Sequence, residues 1–374
     1  MNKNVFLALI GIGIGGIGFG LITPVTVMLL EKNNAPTWIT GSTTMIGYAS
    51  IVLFSGYTAR LIEKQGGKKI LLTGLFIWFV GALLHIFWYI YPLLFPIKFI
   101  MGIGGTFIFV STEVMINFYS DTTNRGKNIS LYVVLLSIGV AVGTLLIWTI
   151  NIADWVPFVI GSAIMFVVFL YEFSVLDNFE IKTGNDGKEK MSLAQMPVIS
   201  LLSGIIYGLF ESSIVVALPM YGLRNMFSPN QVSLFLASFV IGGIVLLFMI
   251  GRFTDKTDKY NLLITISTLL TLLFIIPVFV TEFNYLLIAF FLMGGIVPAF
   301  YTVGLNYTVE KVEKRFLAQA NGFYLMMYGI GTILGPLFGS FTIEINKSYG
   351  FWVFASALCF LFCIVFLRNP NRNK

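Results

Sequence analysis

Glu211, in the stretch YGLFESSIVV, and Glu113, in FVSTEVMINFY, are acids set within long apolar runs. A carboxyl in such surroundings holds a proton when dry and releases it when water enters, so either residue could couple a proton to another event. Each lies on a stripe of small and polar residues at helical spacing. One stripe reads Ser200, Ser203, Gly204, Tyr207, Gly208 and Glu211. The other reads Lys98, Gly102, Thr106, Glu113 and Asn117, with Phe109 filling the gap. Lys98 is the third ionisable candidate, and it stands early enough in its run to snorkel to an interface instead. His85 keeps company with Phe87, Trp88, Tyr89 and Tyr91, which reads as an interfacial aromatic anchor. Glu172 and Glu344 lie near the ends of their runs, where solvated positions are expected. Cys359 and Cys363 sit one turn apart with no further ligands around them, so they read as apolar filler. Neither a metal site nor a cofactor is expected.

The elements that position these residues follow from composition. Of the 374 residues, 57% are hydrophobic and 11% charged. A soluble domain is about 45–50% apolar and about 25% charged, so this chain is built for a bilayer. A spanning helix needs roughly 20 mostly apolar residues. Twelve such spans are predicted: 5–30, 38–62, 70–91, 93–119, 127–151, 155–176, 197–223, 230–251, 261–281, 284–308, 316–343 and 349–367. They are too long, and alternate too little, for barrel strands. The first has one basic residue before it and no small-residue cleavage site after it, so it is expected to be a retained helix. The fold class is therefore an all-α membrane protein.

Charge placement sets orientation. All basic residues except Lys32, Lys98, Arg224 and Lys347 fall on one side of the twelve spans, nineteen of 23. The positive-inside rule makes that side cytoplasmic and puts both termini there. The net charge of +6 is thus topogenic rather than a nucleic-acid footprint. The longest polar break, LDNFEIKTGNDGKEKMSLAQ, divides an N-terminal six-helix half (1–176) from a C-terminal half (196–374) across a cytoplasmic linker (177–195). The halves repeat. Glu63-Lys64 aligns with Asp255-Lys256, Met101-Gly102 with Met293-Gly294, Arg125 with Arg315, and Pro24 with Pro219, all at offsets of about 190 to 195. Parallel repeats of this kind are a transporter architecture.

On these residues the chain resembles the major facilitator superfamily over nearly its full length. That family's loop motif, G-x-x-x-[DE]-[RK]-x-G-[RK]-[RK], is matched by Gly251, Asp255, Lys256 and Lys259, with Asp258 where Gly is usual. A looser copy has Ala59 for Gly, then Glu63, Lys64, Gly66, Lys68 and Lys69. The resemblance implies that this cluster is a cytoplasmic gate, in which the acid pairs with a cation or a helix N-terminus and latches one conformation. LLFPIKFIMGIGG resembles the R-x-x-x-G-x-G pattern of the fourth helix, with Lys98 in the Arg position, followed by Gly102 and Gly104. Lys lacks the planar fork of Arg. YGIGTILGPLFG in the eleventh span (Gly331, Gly335, Pro336, Gly339) resembles a drug-exporter signature that belongs on the fifth helix. Here its small-x-x-x-small spacing points to helix packing. Glu113, NRGKNISLY and YGIGTILGP together resemble the YcaD-type branch.

The resemblance further implies that spans 1, 4, 7 and 10 line a central cavity. Besides the two acids, Thr23, Tyr207, Asn117, Tyr301, Thr302 and Asn306 would line it. The expected function is secondary active transport of a small amphipathic or uncharged organic solute across the plasma membrane of a bacterium. Proton-coupled export by a monomer is expected, with the bilayer, the solute and protons as partners. A lipid-like substrate or facilitative uniport is the alternative. No Walker-type phosphate loop is present, so ATP is not the direct drive. A membrane-embedded enzyme would need a catalytic constellation, and a sensor an extra soluble domain; the short loops supply neither.

Overall fold

The computed structural model describes residues 3–120, 124–177, 179, 191–254, 257–346 and 348–367. These form thirteen α-helices and a few short 3-10 turns, with no strand among the described residues. The chain divides between Asp186 and Gly187 into two compact units. The first holds α1 (Lys3–Lys32), α2 (Thr37–Gln65), α3 (Gly67–Leu84), α4 (Tyr91–Tyr119), α5 (Arg125–Leu145) and α6 (Val156–Val175). The second holds α7 (Val198–Arg224), α8 (Pro229–Thr254), α9 (Lys259–Phe279), α10 (Phe283–Ile296), α11 (Ala299–Lys311), α12 (Leu317–Ile345) and α13 (Gly350–Leu367). Among the described residues eleven segments are long and apolar enough to cross a membrane, and Gly350–Val365 is a shorter apolar one. The tenth crossing, read from the sequence as a single helix, is two helices: α10 and α11 lie within one apolar segment, Phe283–Lys311. Pro298 has no N–H to continue the ladder, and the bonds around it tighten to Phe300 N–Val297 O and Tyr301 N–Pro298 O.

Local chemistry sets the helix ends. Prolines stand in the first turns of α4 and α6, where a missing N–H costs nothing. Asp258 caps α9 by accepting from the Asn261 N–H at 2.8 Å. Between α2 and α3 the chain turns at Gly66 with φ 84°, a conformation glycine adopts without strain.

Packing shows the repeat. In the first unit α1 pairs with α5, α2 with α4 and α3 with α6; in the second α7 pairs with α12, α8 with α10 and α9 with α13. In lipid no hydrophobic force drives helices together, so small residues that admit close backbone contact do the work. On the α1–α5 seam Gly16, Gly20, Gly139 and Gly143 lie directly against the facing backbone. On the α7–α12 seam Gly208, Gly331, Gly335 and Gly339 do the same. Ser213 Oγ also donates across that seam to the Gly335 carbonyl at 2.7 Å, in the turn that carries Pro336. The second unit is further filled by Trp352, packed on Phe274, Phe290, Phe351 and Tyr221.

Each described end of the central polar segment docks on its own unit. The Gly67 N–H donates to the Phe179 carbonyl at 2.8 Å, and the Phe179 ring is buried against that turn. Met191 and Met196 are buried with Ala320 and Tyr324 of α12.

Candidate functional site

Glu211 sits in the middle of α7 and is half-buried. Both of its carboxylate oxygens accept phenolic hydrogen bonds. The Tyr207 hydroxyl, one turn earlier on α7, donates to Oε1 at 2.8 Å. The Tyr328 hydroxyl, on α12, donates to Oε2 at 2.7 Å. The two rings stack at 5.3 Å, with 17° between their planes. Tyr301 of α11 closes the group, 5.4 Å from Tyr207 and 5.6 Å from Tyr328. Tyr324 lies behind it, fully buried, with its ring 5.2 Å from Tyr301. Its hydroxyl donates to the Tyr301 carbonyl at 2.9 Å and lies 3.3 Å from Ser203 Oγ. Two tyrosines thus hold the carboxylate, and two more, Tyr301 and Tyr324, extend the ring cluster across three helices.

This arrangement has a chemical consequence. A carboxylate accepts with both oxygens, but a protonated carboxyl has one oxygen that donates. A proton on Glu211 therefore sets its O–H against one of the phenolic O–H groups, and that tyrosine must turn or give up its hydrogen bond. Protonation of Glu211 therefore changes the hydrogen bonding of the stacked Tyr207–Tyr328 pair.

The local sequence explains the assembly. Ser203, Gly204 and Gly208 hold α7 tightly to α12, which brings Tyr328 to Glu211. The bend at Pro298 offers the Phe300 and Tyr301 carbonyls to Tyr324. Tyr324 and Tyr328 were not singled out from sequence, yet a signal existed. They continue at three- and four-residue steps the face that Gly331, Gly335 and Gly339 occupy. Thr302 and Asn306, one and two turns beyond Pro298, are half-buried.

In the first unit Lys98 of α4 is 6% exposed, so it does not snorkel. Its Nζ donates to Thr23 Oγ1 of α1 at 3.3 Å, and no carboxylate among the described residues pairs with it. Two sequence candidates from different helices are therefore brought together. His85 corrects the anchor reading: it is fully buried, its Nδ1 is 2.7 Å from the Gly81 carbonyl, and its ring packs on Phe158. The neighbouring Trp88 is buried as well, leaving Phe87 and Tyr89 at the surface. Glu113 and Asn117 are exposed on α4. The Asn117 side chain donates to the Glu113 carbonyl at 2.9 Å, and the Tyr132 side chain of α5 lies beside the Glu113 carboxylate. Gly102 and Thr106, placed on the same stripe from sequence, turn instead to α2. Gly102 abuts Ser50 and Gly47, and Thr106 Oγ1 is 3.4 Å from the Ile51 carbonyl.

Glu172 corrects a second reading. It is 2% exposed rather than solvated, because it turns under Gly11 of α1, where only a glycine leaves room for it. Its Oε2 has no hydrogen-bond partner among the described residues. Glu344 does face solvent, and it pairs with Arg224 at 3.3 Å.

Of the loop motif, Glu63 and Lys64 are exposed in the last turn of α2, next to the Gly66 turn. Gly251 lies in the last turn of α8, while Asp255 and Lys256 lie outside the described residues. Lys259, at the head of α9, pairs with Glu310 of α11 at 2.6 Å. Among the described residues no group of His, Cys, Asp and Glu forms a metal site.

A family model described as Major Facilitator Superfamily matches residues 5–197 and 200–374. The MFS-type transporter YfkF of Bacillus subtilis (strain 168) is 24% identical over 361 residues, covering 94% of this chain and 91% of that protein. The MFS-type transporter YcaD of Escherichia fergusonii is 22% identical, covering 100% and 97%. Among solved structures, a variant of the nucleoside transporter NupG superposes with a TM-score of 0.80 at 13% identity, over 98% of this chain and 99% of that one. A bacterial homologue of the human lysosomal transporter Spinster, in an inward-facing and occupied conformation, gives 0.77 at 13% identity, over 97% and 94%. At such identities the likeness is one of fold.

Proposed function

This chain belongs to the Major Facilitator Superfamily, and from that premise we propose that it is a proton-coupled exporter of a small amphipathic or uncharged organic solute. It is a multi-pass membrane transporter, and its partners are the bilayer and a small molecule. The halves 1–176 and 196–374, joined by the linker 177–195, work as a monomer by alternating access. The substrate site opens to one side of the membrane and then to the other. Both termini are cytoplasmic in the plasma membrane, following the basic-residue bias.

The observation that carries this reading is Glu211 held by Tyr207 and Tyr328 within a tyrosine cluster. An intramembrane acid calls for a functional reason, since burying such a charge at the bilayer centre costs at least ~2.5–3.5 kcal/mol on insertion scales. The aromatic faces of Tyr207, Tyr301 and Tyr328 supply a surface for a planar or apolar group, and Glu211 supplies the proton switch. Lys98 with Thr23, and Glu113 with Asn117, are the further proposed contacts for substrate or proton. Glu63, Lys64 and Gly66, with Gly251, Asp255 and Lys256, form the proposed gate.

The test is a proteoliposome screen. Labelled compounds are offered with and without an imposed pH gradient, beginning with nucleosides and planar amphipathic organic molecules. Nucleosides enter as probes because NupG shares the fold. Accumulation that follows the pH gradient supports the reading, and equal flux with and without the gradient removes the coupling. One observation favours a second reading: both Glu211 oxygens are already satisfied, as they would be for a purely structural acid. The protein is then a facilitative uniporter.

A further inference from the structure

We propose that the outer face of the α3–α6 pair is a binding site for an anionic phospholipid of the cytoplasmic leaflet. The proposal goes beyond the transport reading, because this lipid is not the cargo. A groove of about 460 Å³ opens there, with Lys68, Lys69, Gln65 and Thr73 at one end and Phe76, Phe169 and Phe173 along its length. Lys69 is exposed at the head of α3, and Lys68 lies over the Phe173 ring at 5.7 Å.

The apolar part is a continuous aromatic ladder. Phe173 stacks on Phe169 at 6.2 Å, Phe169 meets Phe76 at 6.1 Å, and Phe79 meets Phe166 at 4.9 Å. From Lys69 to Phe79 is ten residues of helix, or about 15 Å. Half of a ~30 Å hydrocarbon core is about the same. The groove and the ring ladder that continues it to Phe79 and Phe166 together run about the depth of one leaflet, with cations where a phosphate sits and rings where an acyl chain lies. Basic pockets between helices on the cytoplasmic side suit acidic headgroups.

Charge bookkeeping within the protein supports an acidic lipid over a zwitterionic one. The acid next to this groove, Glu172, is turned inward under Gly11 and attracts Lys68 from behind, and no carboxylate among the described residues forms an ion pair with Lys69. In the second unit the lysine at the head of the equivalent helix, Lys259, is already bound by Glu310 at 2.6 Å.

The experiment is native mass spectrometry of the full chain with dioleoyl phosphatidylglycerol or dioleoyl phosphatidylcholine added. Two lysine contacts correspond to a preference of about thirty-fold for the anionic lipid. Lys68→Gln with Lys69→Gln is expected to abolish that preference. Arg125→Gln with Lys127→Gln, at exposed basic residues elsewhere on that side, is expected to keep it. No preference in the wild type, or an equal loss in both double variants, overturns the proposal. A measurement on wild-type protein guards against a variant that fails to fold. Phosphatidylglycerol with a photoactivatable acyl chain is expected to label the segment 166–173, and labelling spread evenly over the spans overturns the site.

Discussion

Two phenol groups donating to one carboxylate make Glu211 sensitive to either tyrosine. A hydrogen bond to a charged group contributes about 1.5–3 kcal/mol, so losing one shifts a protonation-linked equilibrium by roughly ten-fold or more. Tyr328→Phe removes the hydroxyl and keeps the stacked ring. It is expected to lower pH-driven accumulation about ten-fold. Tyr324→Phe removes a bond to a backbone carbonyl at the α10–α11 bend, so it is expected to lower the unfolding temperature instead. Initial transport rates and thermal unfolding of the two variants check both statements. Equal effects of both on both readouts contradict the assignment of Tyr328 to the site. Residue types alone pointed to Glu211, Tyr207, Lys98 and Thr23, because acids, a lysine and small polar residues stand out in apolar text. Glu172 and His85 were misread for the opposite reason. Each lies near a helix end in sequence, and its burial depends on a neighbour from another helix: Gly11 over Glu172 and Phe158 over His85.

The α7–α12 seam brings Tyr328 to Glu211. Its glycines fit a bilayer setting, where close backbone approach replaces the hydrophobic drive. Gly331→Leu would press a side chain onto the Ile205 carbonyl and the Leu209 N–H. Overpacking of this kind costs about 1–3 kcal/mol or more, and the expected result is a lower unfolding temperature together with loss of transport. Gly322→Leu, on the same helix but with open space around it, is expected to be tolerated in both assays. Similar losses in both variants contradict a specific seam. At this scale the twelve crossings were legible, because runs of about 20 apolar residues have few other meanings. The bend at Pro298 was not, since the surrounding run is apolar throughout. The face of α12 was half legible: its small residues announced packing, while Tyr324 and Tyr328 on the same face passed as two aromatics among many.

The repeat is the feature of the whole molecule that sequence carried best. Landmarks near one offset reappear as matching helix pairs: α1 with α5 and α7 with α12, α2 with α4 and α8 with α10, α3 with α6 and α9 with α13. Asp255, outside the described residues, belongs to the proposed gate at this scale. Asp255→Asn is expected to leave expression unchanged and to bias the exchange between inward-open and outward-open states. Accessibility of cysteines introduced at the two ends of the transport path reads this out, and unchanged accessibility with unchanged transport reduces the cluster to a topogenic loop. The central claim, that Glu211 couples a proton to the solute, has a more direct test. Glu211→Gln keeps the shape and fixes the neutral form. In proteoliposomes it is expected to abolish accumulation driven by an imposed pH gradient, and the substrate-linked proton flux with it. It is expected to spare exchange of labelled for unlabelled solute at equal concentrations, which requires no net proton release. Full pH-driven accumulation in the Glu211→Gln protein would contradict the account.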